Sequence, residues 1–327
     1  MQCVLTPAYV QHTDPRANFQ RNGTSLPVDE LSITERLRKR VRIPTGSPIV
    51  TGIGDDCAIY RPRGSADDLL LTTDLFIEGI HFLRDTHTAA DAGHKALARS
   101  LSDIAAMGGS PRLCLVSLCV APWTTDKWID GFYKGLLDLA ARSNTVLAGG
   151  DLSHSDKCFA DVMAMGSVPR GSALLRSGGR VGDDIYVSGQ LGGSVLGLEK
   201  RSGTAWKRHK RPEPRLALAT IIRERYRPTA AMDLSDGLSL DLRRLCLASG
   251  IAAEIAEPPC FKGASLAHAL HGGEDYELLF TVRHGTEIPA KLEGVELTRI
   301  GRTTTGIPGQ ILLDGAPLPA LGYDHFK

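Results

Sequence analysis

Short apolar runs of strand length alternate along this chain with amphipathic segments of helical period, and glycine-containing turns punctuate most junctions. That alternation limits the fold more than any other feature. A strand buries one face and a helix one stripe, so the two kinds of element must be layered on one another. The expected class is α/β, as two α+β sandwiches of helices on sheets, and no Gly-x-Gly-x-x-Gly follows the first strand. At 327 residues the chain suits two domains of about 150 residues each. They are expected over residues 28–168 and 169–327. Residues 1–27 hold Pro, Gln, Asn and Thr without periodicity and are expected to form a poorly ordered extension.

The spacing predicts a helix over 29–41, strands over 47–60 and 68–73, and a helix over 91–107 with Leu97, Leu101, Ile104 and Ala105 as its apolar stripe. A strand over 113–120, a helix over 126–142 and strands over 145–148 and 158–167 follow. The second half carries predicted strands at 184–188, 276–282 and 295–300, and a helix at 236–249 stopped by Gly250. Residues 200–215 read as a basic, irregular connector, with Lys207-Arg208-His209-Lys210-Arg211 as a solvated face.

Several function classes are excluded. No apolar run reaches the roughly 20 residues of a membrane helix, and the longest, 113–121, reads as a buried strand. With a formal net charge of +1 there is no global field to draw nucleic acid or an anionic membrane. The seven cysteines are irregularly spaced with no Cys-x-x-Cys pair, and the N-terminus has no signal-peptide pattern. Both point to reduced thiols and a cytoplasmic protein. Neither a Walker Gly-x-x-x-x-Gly-Lys-Ser/Thr loop, a Gly-x-Ser-x-Gly elbow nor a zinc spacing occurs.

What remains is acidic. Five segments set aspartates beside glycine, serine or threonine at the ends of apolar stretches: Gly54-Asp55-Asp56, Thr72-Thr73-Asp74, Leu101-Ser102-Asp103, Gly149-Gly150-Asp151 and Asp233-Leu234-Ser235-Asp236. Magnesium takes oxygen ligands and bridges carboxylates to substrate phosphates. Converging aspartates repel one another unless cations sit among them. Each aspartate alone also fits a turn or helix cap, Asp236 especially, whereas Asp103 falls inside a helix on its polar side. Gly149-Gly150 and Gly192-Gly193 offer backbone N–H groups to a phosphate or simply make tight turns. Arg176 is a phosphate partner or a solvated loop residue. His81 is a phosphate contact or a packed ring. Gly273-Glu274-Asp275-Tyr276-Glu277 is a contact for an amine-bearing substrate or a solubilising turn, and Cys57 is a small buried residue.

In order, the chain carries Gly52-Ile53-Gly54-Asp55-Asp56, Thr73-Asp74, Gly79-Ile80-His81-Phe82, Lys95-Ala96-Leu97-Ala98, Leu101-Ser102-Asp103-Ile104-Ala105-Ala106-Met107-Gly108, Gly149-Gly150-Asp151, Arg176-Ser177-Gly178, Asp233-Leu234-Ser235-Asp236-Gly237, Gly273-Glu274-Asp275-Tyr276-Glu277 and Gly322-Tyr323-Asp324-His325-Phe326. This series resembles the thiamine-monophosphate kinase family over roughly residues 30–326. The resemblance implies the two-domain fold of aminoimidazole ribonucleotide synthetase and a homodimer whose N-terminal domains join their sheets in a barrel. It implies several Mg2+ ions, with ATP and thiamine monophosphate as substrates. Asp56, Thr72, Thr73, Asp74, Asp103, Asp151, Asp233 and Asp236 would be metal ligands. Tyr133, Gly150, Asp151, Arg176 and Ser235 would contact ATP, and His81, Glu274 and Tyr323 would contact thiamine phosphate. Tyr323 would stack on the thiazolium ring. Neither nucleic acid nor a membrane is an expected partner. Alternatives are another ATP-dependent enzyme of this fold, of the aminoimidazole ribonucleotide or selenophosphate synthetase type, or a non-enzymatic nucleotide sensor.

Overall fold

The computed structural model describes residues 30–325; the expected extension at 1–27 and the last two residues lie outside them. After helix α1 (Glu30–Arg40) come strands β1 (Ile49–Thr51), β2 (Ala58–Tyr60) and β3 (Asp67–Ile77), helix α2 (Ala89–Ala106), β4 (Ser110–Val120), α3 (Asp126–Arg142), β5 (Val146–His154) and β6 (Phe159–Pro169). The strands form one six-stranded sheet in the order β1-β2-β3-β6-β4-β5, antiparallel except for β4 beside β5.

The second half holds β7 (Asp184–Ser188), α4 (Gly193–Lys200), α5 (Gly203–Lys210), α6 (Leu216–Ile221), β8 (Ala230–Asp233), α7 (Leu238–Ser249), β9 (Ala252–Ile255), α8 (Leu266–His271) and β10 (Leu278–Val282). It ends with β11 (Lys291–Leu292), β12 (Val295–Thr304), β13 (Ile311–Leu313) and β14 (Ala316–Pro317). Its sheet runs β14-β13-β9-β12-β7-β10-β8, with β11 on β12.

The two sheets are covered differently. Leu279 of β10 joins Leu238, Leu242 and Leu245 of α7 in one core, while its neighbours Leu278 and Phe280 join Leu218 of α6 and Ala105 of α2 in another. The period-2 alternation thus buries both faces of the second sheet. The first sheet is packed on one face only, where Val116, Leu118, Ala160 and Val162 meet Leu97 and Leu101 of α2 and Leu136 of α3. Its other face leaves Leu75 and Val146 exposed.

Helix α2 is the hinge of this architecture. A capping box at Thr88 and Asp91 starts it, and most of its side chains are buried because both halves pack against it. Small residues permit that crowding. A Cβ at Gly93 would lie 1.8 Å from the Phe132 carbonyl oxygen of α3.

Several sequence expectations are corrected. The strand expected over 47–60 breaks into β1 and β2 around the Gly52–Cys57 loop. The strand expected at 145–148 runs on to His154, so Asp151 sits within β5 rather than beyond it. The connector over 200–215 is not irregular, because α5 forms in it. Its basic run is no solvated face: Arg208 pairs with Glu277, Lys210 and Arg211 pair with Asp91, and His209 is buried. Gly192-Gly193 hold no free anion site, since the Asp275 carboxylate already accepts from the backbone N–H of Gly192 and Ser194. Asp236 does not cap α7: the Asp241 carboxylate accepts from the N–H groups of Asp236 and Gly237.

Candidate active site

Three of the aspartates meet. One carboxylate oxygen from each of Asp56, Asp103 and Asp233 lies within 4.8 Å of the other two. They come from three different elements: the loop before β2, the C-terminal half of α2, and the end of β8. Each has one neutral or cationic partner. Arg176 donates through Nε and Nη2 to Asp56 Oδ1, Thr72 donates to Asp103 Oδ2 at 2.5 Å, and Ser102 donates to Asp233 Oδ2 at 2.6 Å. Asp55 fixes the same loop by accepting from the Arg176 N–H.

These partners do not neutralise the cluster. Burial pushes the Asp103 carboxyl well above its usual range, and repulsion from Asp74, Asp233 and Asp56 adds to it. Asp233 is raised in the same way, by burial and then by Asp56. Asp56 Oδ2 and Asp74 Oδ2 are buried without a hydrogen-bond partner. A buried carboxylate oxygen left unpaired is costly. Hard oxygen donors in this crowding fit a magnesium ion, which would supply the missing charge.

The cluster opens into a cleft of about 290 Å³. Asp74, Asp103, Asp233, Ser235 and Asp236 line it, as do His81, Glu274 and Tyr323. His81 is buried, and its Nδ1 accepts from the Ile77 N–H at 2.9 Å, so the neutral ring carries its proton on Nε2. Burial, with Arg99 and Lys95 nearby, lowers its pKa to about 2. Glu274 and Tyr276 hold left-handed backbone, φ 64° and 51°, and donate their N–H groups to the carbonyls of Ser235 and Leu234. Such strained non-glycine residues gather at working sites. The segment is therefore not a solubilising turn, since Asp275, Tyr276 and Glu277 are all buried. Tyr323 is half exposed and its N–H donates to the Asp236 carbonyl.

Four residues named from the sequence lie elsewhere. Thr73 points from the opposite face of β3 to Thr72 and bonds Asp161 instead. Asp151 pairs in register through Ser117 and Asp161 to Leu75 on β3, three strands away. At about 4.8 Å per strand that is roughly 14 Å. Gly150 meets the β4 backbone so closely that a Cβ would lie 1.9 Å from the Val116 carbonyl oxygen. Tyr133 sits half-buried on α3 beside the first core. None of the four lines the cleft.

Sequence reasoning missed three cations. Lys95 is fully buried and donates to Glu274 Oε2 at 2.9 Å and to the His81 carbonyl at 3.0 Å, tying these two lining residues together as one wall. Arg244 bonds both Asp236 and Asp241. Arg99 contacts Asp74 at 3.3 Å. Arg99 was legible: it precedes Asp103 by four residues on one helix and so shares its face.

Known proteins share this arrangement of sequence. Residues 54–168 match the family described as AIR synthase related protein, N-terminal domain. The thiamine-monophosphate kinase of Escherichia coli (strain K12) is 37% identical over 326 residues, covering 91% of this chain and 98% of its own. That of Bacillus subtilis (strain 168) is 34% identical over 310 residues, covering 86% and 95%. A solved structure, AaThiL complexed with AMPPCP and TMP, superposes with a TM-score of 0.81 at 31% identity, covering 93% of this chain and 99% of that one. No helix among the described residues is long and apolar enough to cross a membrane. Likeness at this identity, running through both sheets and almost the full length of each relative, makes the chain a member of the thiamine-monophosphate kinase family, and so a kinase.

Proposed function

We propose that the protein moves the terminal phosphoryl group of ATP onto the phosphate of thiamine monophosphate, giving thiamine diphosphate and ADP. The observation that carries this reading is the meeting of Asp56, Asp103 and Asp233, with buried unpaired oxygens on Asp56 and Asp74, beside the cleft walled by His81, Glu274 and Tyr323. The solved relative with AMPPCP and TMP gives the two substrate classes.

The chemistry explains why no base is found. A phosphate monoester has its second pKa near ~6, so the acceptor oxygen is already ionised at neutral pH. It attacks the terminal phosphorus in line while the bond to the ADP oxygen breaks, and no phosphoenzyme forms. Cys57 is buried and unsuited to a covalent step. The barrier is repulsion between two anions. Asp56, Asp74, Asp103, Asp233 and, near them, Asp236 would hold the magnesium ions, with Thr72 orienting Asp103. Bound there, magnesium supplies positive charge against the facing phosphates. His81 offers its Nε2–H and Glu274 its free Oε1 to the acceptor, while Tyr323 offers a ring face to the cationic thiazolium. Arg176 and Ser235 lie on the ATP side.

Asp151, Gly150 and Tyr133 enter through a homodimer. The bare face of the first sheet supports one, because it leaves Leu75 and Val146 exposed, and exposed apolar patches mark contact surfaces. In the proposed barrel the β5 edge of one chain would lie beside the β1 edge of the other. That carries Asp151 toward the Gly54–Asp56 loop of its partner.

The direct test mixes the protein with ATP, magnesium and thiamine monophosphate. Thiamine diphosphate and ADP are expected in equal amounts. Turnover of formylglycinamidine ribonucleotide or selenide instead would overturn the reading. The trans arrangement has its own test, in which inactive Asp103→Asn and Asp151→Asn chains are mixed and allowed to exchange. Each mixed dimer then has one intact site, and roughly a quarter of wild-type activity returns. If Asp151 acts within its own chain, no activity returns.

A further inference from the structure

We propose that Arg99 binds the phosphate of the acceptor and so selects phosphorylated over unphosphorylated thiamine. The inference rests on the kinase reading for the identity of the acceptor. Among the described residues that line the cleft Arg99 is the single lysine or arginine, in company with Asp74, Asp103, Asp233, Asp236 and Glu274. It leaves α2 one turn before Asp103, on the same helix face, and its guanidinium contacts Asp74 and interacts with Tyr276, Glu274 and His81. An acceptor phosphate lying between Asp74 and the His81–Glu274 pair is within reach of this guanidinium.

The hydrogen bonding of Arg99 marks it as poised for a ligand. Its side chain is only 13% exposed, yet among the described residues its one hydrogen bond is from Nη2 to Asp74 Oδ1 at 3.3 Å, and its Nε is buried with no partner. Other arginines of the region are held fast. Arg176 grips Asp56 through two nitrogens, Arg215 grips Glu277 through two, and Arg244 spans Asp236, Asp241 and Glu30. A guanidinium presents its donors as a planar fork that matches two oxygens of a phosphate. A long, single contact to Asp74 leaves most of that fork free. If Arg99 served only as a counter-ion to the acidic wall, a bidentate pairing like those of Arg176 and Arg215 is what burial would favour. A phosphate monoester supplies the missing acceptors, and the arginine in turn offsets part of the anion–anion repulsion. Unphosphorylated thiamine offers no such acceptor.

The test measures binding without turnover. Wild type, Arg99→Met and Arg99→Lys are loaded with magnesium and a non-hydrolysable ATP analogue. Thiamine monophosphate and thiamine are then titrated in separately by calorimetry, with melting curves checking the fold. Arg99→Met is expected to weaken thiamine monophosphate about 10- to 100-fold, to leave thiamine within about twofold, and to leave the affinity for the ATP analogue within about twofold. Arg99→Lys, which keeps the charge and loses the fork, is expected to fall between. Equal weakening of both ligands, or of neither, would overturn the proposal. If wild type neither binds nor phosphorylates thiamine monophosphate, the acceptor assignment fails rather than the anion site. Inorganic phosphate titrated into wild type and Arg99→Met then decides the site, with loss of binding in the variant expected and equal binding overturning it.

Discussion

Two groups of carboxylates with buried oxygens are treated in opposite ways in this molecule. Glu277 accepts from Arg208, from both Nε and Nη2 of Arg215 and from the Ser188 hydroxyl, and Asp275 accepts from two backbone N–H groups. Asp56 and Asp74 each keep a buried oxygen with no partner, and Asp103 and Asp233 repel each other across the cluster. A buried charge paired on every side holds a structure together, and one left open is an invitation to a ligand. Both groups belong to short acidic motifs that look alike in the sequence, and only the three-dimensional partners separate them.

The largest effect should come from the open group. Asp103→Asn is expected to cut turnover by at least about a thousandfold, roughly 4 kcal/mol of transition-state stabilisation, because it would remove a proposed metal ligand. The metal-free variant should melt at or above the wild-type temperature, since one source of repulsion is gone. Near-normal turnover, or a lower melting temperature with loss of helical signal, would break the contrast. The paired group should behave in reverse. Glu277→Gln leaves Arg208 and Arg215 facing a neutral amide in a fully buried place. A stability loss of about 3 kcal/mol is expected in denaturant unfolding. Any protein that remains folded should keep its KM values. A mild loss of stability with a strong loss of substrate binding would move Glu277 into the site.

How far the sequence carried this contrast depends on the range of the interaction. Helix α2 and the face that carries Asp103 follow from local period, as do β7 and α3, since their patterns are set by residues three and four, or two, apart. The ordered motifs also named most of the cleft wall: His81, Ser235, Glu274 and Tyr323 all line it. The pairing of Thr73 with Asp161 was not legible, because it depends on which strand lies beside β3. Helix α5 escaped for the same reason. Its charges look solvated until Glu277 and Asp91, far away in the chain, are placed against Arg208, Lys210 and Arg211. Lys95 reads as an ordinary helix lysine until Glu274 meets it from the other half of the molecule. Asp151 reads as one more site aspartate, yet its strand register puts it on the bare sheet face. Local pattern fixes which face a residue takes, whereas the partner across the interface decides its job.

The carboxylates have a counterpart in buried histidines, and pH separates the two with the smallest expected effect. His87 and His209 pack against Trp206 and each other under Lys95, with Lys210, Asp91 and Glu274 as the other charges nearby. Burial first, then Lys95, lowers His209 to about 2 and His87 to about 4. Both folded values lie below the ordinary histidine value, so the unfolded chain takes up protons first and stability falls as pH drops below about 6.5. Each histidine should cost about 1 kcal/mol over the first unit, to about pH 5.5. Asp55 and Asp241 oppose this, because both are raised to about 7, chiefly by burial, and a raised carboxylate gains stability as pH falls through that value. Magnesium bound as proposed would hold the cluster beside Asp55 ionised and remove part of that opposition. Melting curves between about pH 6.5 and 5.5 should therefore fall more steeply with saturating magnesium than with a chelator present. His209→Gln should flatten the magnesium-loaded slope by about 1 kcal/mol per unit. Equal slopes with and without the metal would show that the open carboxylates do not hold it, and an unchanged slope in His209→Gln would show that the ring is already charged in the folded protein.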